Sequence, residues 1–264
     1  SRSLYMDGNA TIIAANKLLA AMRKEDGTLR TYDEMKAEGI ETKYLGRYET
    51  NTTPGLCRLD PNTGIGDPTP AFTYCLNLAE VEVDTKTGKT TVLKFTCVDF
   101  VGRIGNIDAV NGQAYSGIMH GIGFALKEDY ADVKKHANMF GAGTSYIKDV
   151  PDDINLIHID GAISDGPFGS SGASEAFQAS GHCAVLNGIY NACGVRIHEI
   201  PALPEKVKAG LDAIAKGEKP YEPKKYFLGS DMYEELENIK ENPVQVGTQS
   251  FYVSLDDPTA ERPF

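Results

Sequence analysis

The sequence predicts a globular protein that combines several helices with a small amount of β-structure. Three observations predict it. Apolar residues recur at helical spacing in several separate stretches. One strict alternation, Ala79-Glu80-Val81-Glu82-Val83, is followed by a turn at Asp84–Lys89 and a second run, Thr91-Val92-Leu93-Lys94-Phe95, which reads as a hairpin. Glycine-rich stretches lead directly into several of the helices. A chain of 264 residues, 41% hydrophobic and 24% charged, can bury a core and has the composition of an ordinary soluble domain.

Taken in order, Ile12, Ile13, Leu18, Leu19 and Met22 mark the apolar face of a first helix that follows Asp7-Gly8 and ends at Asp26-Gly27. Residues 31–38 suit a short helix, Lys43–Thr50 a strand, and Asn51–Pro70, with four prolines and three glycines, a loop. In the hairpin, Glu80 and Glu82 share a face that solvent should cover. The stretch Asn106–Gln113 reads as a loop ahead of a helix at Ala114–Leu126. Three glycines in that helix, Gly117, Gly121 and Gly123, each cost about 1 kcal/mol relative to alanine and so predict close packing on a neighbour. His120 among them reads as a packed or hydrogen-bonded histidine. Leu156–Ile159 suits a strand. A long helix should then run from Phe177 through Val185, Leu186 and Ile189 to Cys193-Gly194, followed by a strand at Val195–Ile200 and a helix at Lys206–Lys216 with Pro204 in its first turn. The chain divides into residues 1–217 and a polar, extended tail at 218–264, which holds five prolines.

Charge and cysteines narrow the function. A net charge of −11 argues against nucleic acid or an anionic membrane as partner. No apolar run reaches the roughly 18 residues of a membrane span, and the start has no signal-peptide pattern. A cytoplasmic location is the expectation. Five scattered cysteines, Cys57, Cys75, Cys97, Cys183 and Cys193, include no C-x-x-C, so buried free thiols are expected rather than a zinc or iron–sulfur framework. The opening, Ser1-Arg2-Ser3-Leu4-Tyr5-Met6, has no initiator methionine and reads as the start of a piece of a longer protein.

Three junctions of loop and helix stand out: Ser1–Gly8, Asn106–Gln113 and Gly166–Glu175. The last is the richest. Glycines 166, 169 and 172 and serines 170, 171 and 174 run into Glu175 just as a helix pattern begins. Free N–H groups at a helix start favour negative charge, so three such junctions suit a cradle for an extended, phosphate-bearing ligand. Glu175 reads either as a functional carboxylate or as a complement to the helix dipole. No P-loop, dinucleotide fingerprint or G-x-S-x-G elbow is present.

Gly166–Glu175, Gly112-Gln113-Ala114 with the glycine helix behind it, and Ala192-Cys193-Gly194-Val195-Arg196-Ile197 through Leu203-Pro204-Glu205-Lys206-Val207 resemble the molybdenum hydroxylases, the xanthine dehydrogenase and aldehyde oxidoreductase family, and above all its bacterial aldehyde-oxidising branch. The resemblance covers most of residues 1–216. It implies the C-terminal part of the second molybdenum-binding domain, an α+β unit that binds molybdopterin cytosine dinucleotide with molybdenum. Ser1, Arg2 and Ser3 would hold the dinucleotide end, Asn111, Gly112 and Gln113 the pterin, and Ser171, Gly172, Ala173 and Ser174 the loop beside the metal, with Glu175 as the active-site base. The chain departs from the family in having Gly172-Ala173-Ser174-Glu175 where many members have Gly-x-Gly-Glu, and Asn106-Ile107 where Asn-Pro is frequent. The implied reaction oxidises an aldehyde to a carboxylic acid with water as oxygen source. A buried, shielded Glu175 would suit a base working near neutral pH, with Phe168 or Phe177 as its apolar flank. Electrons would leave through iron–sulfur clusters in other domains. The implied partners are those domains and the first molybdenum domain, in an enzyme that forms a homodimer, so this chain alone should be inactive. Alternatives are a purine or N-heterocycle hydroxylase of the same class and a cofactor-free, non-catalytic fragment or assembly module.

Overall fold

The hairpin is the larger part of a three-stranded sheet. In the computed structural model, which describes residues 2–49, 71–132, 134–163, 165–218 and 241, β1 (Tyr74–Val83) pairs antiparallel with β2 (Thr90–Phe100), and β3 (Asp153–His158) pairs parallel with β2 on its other side. Both hairpin strands extend beyond the alternating core of the sequence pattern. A register shift at Glu80/Val81 interrupts the ladder. Glu80 and Glu82 are exposed, as the alternation requires.

Helices cover one face of the sheet. The segment α1 (Ser3–Met22) comes first and α2 (Tyr32–Ala37) follows, opened by a reciprocal pair of bonds: the Glu34 amide donates to Thr31 Oγ1, and the Thr31 amide donates to the Glu34 carboxylate at 2.7 Å. After the hairpin come α3 (Ile107–Leu126), the short α4 (Met139–Ala142), α5 (Ser174–Gln178), α6 (Gly181–Cys193) and α7 (Pro204–Ala215). Val92, Phe95 and Cys97 of β2 form a buried core with Ala114, Ile118, Ile122 and Ala125 of α3, Phe177 of α5 and Val185 of α6. Ile189, Val195, Ala202 and Val207 form a second cluster under α7. Helices segregated to one face of a small mixed sheet make this an α+β fold.

The α3 glycines pack as their spacing predicts. A Cβ on Gly117 would lie 2.6 Å from Phe177 Cβ, and one on Gly121 would lie 2.9 Å from Gly181 Cα. His120 is half-buried with its ring 6.1 Å from that of Phe124, so it is a packed histidine at the edge of the core.

Several expectations are corrected. Residues 43–49 form no strand; they cross α1 in extended coil, with Gly46 set so close that a Cβ would meet Ala10 O and with Lys17 Nζ donating to Leu45 O at 2.8 Å. Helix α1 begins at Ser3, so Ser3–Gly8 is helix rather than loop. Helix α3 begins at Ile107, because Asn106 Oδ1 accepts from the Ala109 amide at 2.9 Å and Asp108 sits in the first turn. The long helix after the central loop is two, broken at 179–180, where Ser180 Oγ accepts from Asn77 Nδ2 of β1 rather than capping α6. Residues 195–200 are coil: Val195 turns into the second cluster against Gly210, and among the described residues no strand pairs with them. Cys97 is buried and Cys75 and Cys193 half-buried, but Cys183 is exposed, against the expectation that the thiols are buried. Cys57, Thr50, the loop 51–70 and, apart from Glu218 and Glu241, the tail at 218–264 lie outside the described residues. No helix among the described residues is long and apolar enough to cross a membrane.

Candidate functional site

The central loop is bound to the chain that leaves β2. Gly102 and Ser170 form an isolated antiparallel bridge, the Arg103 amide donates to Gly169 O at 2.9 Å, and the Ser171 amide donates to Val101 O at 3.2 Å. Gly102 at φ +78° and Gly169 at φ +86° occupy the left-handed region that glycine alone enters without strain. Ser170 and Ser171 are buried as a result. Helix α1 reaches the same loop from the other side: Asn9 Nδ2 donates to Asp165 O at 2.9 Å, and Gly8 abuts the Pro167 ring.

These contacts gather the junctions into one groove of about 620 Å³. Its walls include Ser3 at the start of α1, Arg103 and Asn106 ahead of α3, Gln113 in the second turn of α3, and Ser171, Gly172, Ala173 and Ser174 of the central loop. Three segments far apart in the chain thus face one space. Arg103 is the sole charged side chain among the described lining residues, in a chain of net charge −11. The remaining polar lining is hydroxyl and amide. Neutral donors and acceptors with one guanidinium and no carboxylate suit an anionic, heteroatom-rich organic molecule, so the residues present fit a phosphate-bearing pterin.

The predicted residues divide. Ser3, Gln113, Ser171, Gly172, Ala173 and Ser174 line the groove. Ser1 lies outside the described residues, and Arg2 caps α1 beside Ser3 and is exposed. Gly112 is exposed on α3, and a Cβ added there would have nothing within 4 Å. Asn111 turns the other way: its Oδ1 meets His158 Nε2 at 2.8 Å. Glu175 is exposed in the first turn of α5. Phe177, two residues on and so about 200° around the helix, is fully buried against Gly117, which directs Glu175 away from the core. Neither expected apolar flank shields it, since Phe177 belongs to the core and Phe168 is 83% exposed. Helix α5 has five residues, too few for the strong N-terminal dipole expected of a long helix.

Arg103 escaped the sequence reading, and so did a buried polar group. Asp99 of β2 is 1% exposed, and its Oδ2 lies 2.7 Å from His158 Nδ1 at the end of β3. Burial pushes the Asp99 carboxyl above its ordinary range, and the His158 bond opposes that rise. The signal was present in the phase of the strands. Asp99 is in step with buried Phe95 and Cys97, and His158 with Leu156, so alternation puts both on the inner face.

The molybdopterin cofactor-binding domain model matches residues 1–151. The aldehyde oxidoreductase of Megalodesulfovibrio gigas is 43% identical over 213 residues, 81% of this chain and 23% of that protein. The crystal structure of the aldehyde oxidoreductase from Desulfovibrio desulfuricans superposes with a TM-score of 0.73 at 45% identity, over 78% of this chain and 22% of that one. The enzyme from Desulfovibrio gigas superposes at 0.76 with 42% identity, over 80% and 23%. A probable hypoxanthine oxidase of Escherichia coli is 30% identical over 151 residues, 56% of this chain. The chain thus spans about a quarter of the length of the aldehyde oxidoreductases that it matches.

Proposed function

This chain belongs to the molybdopterin cofactor-binding family of the molybdenum hydroxylases, and we propose that it is part of a larger, aldehyde-oxidising enzyme, in which it forms one wall of the cofactor site. The groove that unites Ser3, Gln113 and Ser171–Ser174 carries this reading. When bound, the molybdenum cofactor supplies the two-electron oxidation. Arg103 would offer a cation to the cofactor's phosphate, Gln113 its amide to the pterin, and the Ser171–Ser174 segment would hold the end that carries the metal. Glu175 then accepts a proton at its carboxylate from the attacking oxygen as an aldehyde becomes a carboxylic acid. Because Glu175 is exposed in this chain, the cover that would make it an effective base near neutral pH comes from the rest of the enzyme.

The cytosine dinucleotide form, the iron–sulfur domains as electron route, the homodimer, the cytoplasmic location and the division of the chain at 217/218 belong to the same proposal, supported by the likeness to the aldehyde oxidoreductases. So does the assignment of this chain to the C-terminal part of the second molybdenum domain. Greater identity and coverage favour the aldehyde oxidoreductases over the hypoxanthine oxidase as guide to the substrate.

The test is Glu175→Gln in the full-length enzyme, assayed with aldehydes and purines and normalised to bound molybdenum. The variant keeps shape and loses the basic oxygen, so turnover should fall by about 10²–10⁴-fold with molybdenum content unchanged. A loss smaller than about tenfold retires Glu175 as the base. Turnover of purines in preference to aldehydes moves the enzyme to the heterocycle branch.

A further inference from the structure

Helix α3 enters the groove before it enters the core. Residues 107–109, 112 and 113 are exposed, Val110 and Asn111 are half-buried, and full burial begins only at Ala114. Yet Asn106, Ala109, Val110 and Gln113 form the groove's helical wall. Of residues 107–113 only Val110 packs against the core among the described residues, and a helix end with so few core contacts frays, because few apolar contacts oppose local opening. Among the described residues, one side-chain hydrogen bond ties the stretch 107–113 to the sheet: Asn111 Oδ1 to His158 Nε2, at 2.8 Å.

His158 is itself held. Parallel pairing sets it beside Asp99, with Nδ1 2.7 Å from Asp99 Oδ2. Asp99 is 1% exposed, and its other oxygen, Oδ1, is buried with no hydrogen-bond partner among the described residues. An isolated carboxylate in that position would be costly, so the bond to His158 is strongly favoured. Nδ1 faces the Asp99 carboxyl and Nε2 the Asn111 amide, so both ring nitrogens are engaged and the ring cannot turn without losing a bond. The imidazole orientation is therefore set from β2 and passed to α3. Val101, two residues beyond Asp99 and just past the end of β2, lines the groove, so the chain leaving that strand contributes directly to its wall.

We propose that Asp99, His158 and Asn111 are a positioning relay that fixes the first two turns of α3 against the central loop, and that Asn111 serves the cofactor site through His158 rather than by touching the cofactor. This rests on the groove being the cofactor's. It revises the expectation for Asn111 while leaving Gln113 as the direct contact. The three residues come from three different elements and meet on the inner face of the sheet.

The experiment uses the full-length enzyme with Asn111→Ala, His158→Ala, both together, and His158→Gln, whose amide can still donate toward Asn111. Two quantities are read: the rate of molybdenum loss on warming, and hydrogen–deuterium exchange in peptides covering 107–113 and 118–125. Each alanine variant should speed cofactor loss by about 2–10-fold, as for removal of one partly buried hydrogen bond. The double variant should lose it no more than a few-fold faster than either single one, because both substitutions cut the same link. Exchange should rise at 107–113 and stay unchanged at 118–125, and His158→Gln should restore most of both quantities. The relay is overturned if Asn111→Ala releases cofactor while His158→Ala does not, if the two effects multiply, or if exchange rises equally across 118–125. Should the unmodified enzyme hold no molybdenum cofactor, the reading of the groove fails, and the exchange measurement alone still decides whether the relay holds α3.

Discussion

A Cβ placed on Gly117 would lie 2.6 Å from Phe177 Cβ and 2.9 Å from the Gln178 amide nitrogen. Helix α5, which carries Glu175, is therefore seated directly on the backbone of α3, which carries Gln113. The proposed base and the proposed pterin contact are thus placed by one helix contact, and the absence of a side chain at Gly117 sets its closeness.

Gly117→Ala should destabilise the protein. Alanine gains at most about 1 kcal/mol of helix propensity, but it collides with α5 backbone, and such overpacking costs about 1–3 kcal/mol. The melting temperature should fall. Turnover per bound molybdenum should fall as well, because Glu175 moves with α5. A higher melting temperature would show that α5 yields freely.

Gly112→Ala is the counterpart on the same helix. A Cβ there meets nothing within 4 Å, so the propensity gain of up to about 1 kcal/mol is unopposed and the cofactor-stripped enzyme should melt higher. If Gly112 lets the cofactor approach α3 closely, the same substitution should speed molybdenum loss. Unchanged retention would remove Gly112 from the cofactor site.

Gln113→Ala should weaken cofactor retention while leaving the fold intact, since Gln113 is exposed in this chain. Loss of one ordinary hydrogen bond corresponds to roughly 2–10-fold faster release. Metal analysis after timed warming measures it, and release at the unmodified rate would refute the contact.

Glu34 gives an acid-dependent prediction. The bond from Lys24 Nζ, at 2.8 Å, and the Thr31 amide hold its carboxyl well below the ordinary 4.5, at about 2. A depressed native value stabilises the fold above the unfolded-state value, and that contribution is lost as pH falls through the native one. The difference in melting temperature between the unmodified protein and Glu34→Gln should be present at pH 7, shrink below about pH 4.5 and vanish near pH 2. A difference that persists at the acid end would show that the pairing with Lys24 and Thr31 does not carry the effect.

The sequence alone determined what depends on neighbours along the chain. Period-2 alternation at Ala79–Val83 yields β1, the apolar spacing after Pro204 yields α7, and glycine cost at 117 and 121 announces close helix packing, because each is a local or one-sided preference. It also pointed to Ser3, Gln113 and Ser171–Ser174 as parts of one cradle. Only the tertiary structure decided where extended stretches go. Residues 43–49 and 195–200 have strand-like composition, yet a strand needs a neighbouring edge to satisfy its backbone, and these segments meet a helix or the second core cluster instead. The break between α5 and α6 depends on Ser180 meeting Asn77, far away along the chain. The burial of Asp99 with His158 depends on the parallel register of β2 and β3. Periodicity places each of these residues on a face; long-range pairing alone determines which residue it meets there, and the polarity and distance of that partner set its chemistry.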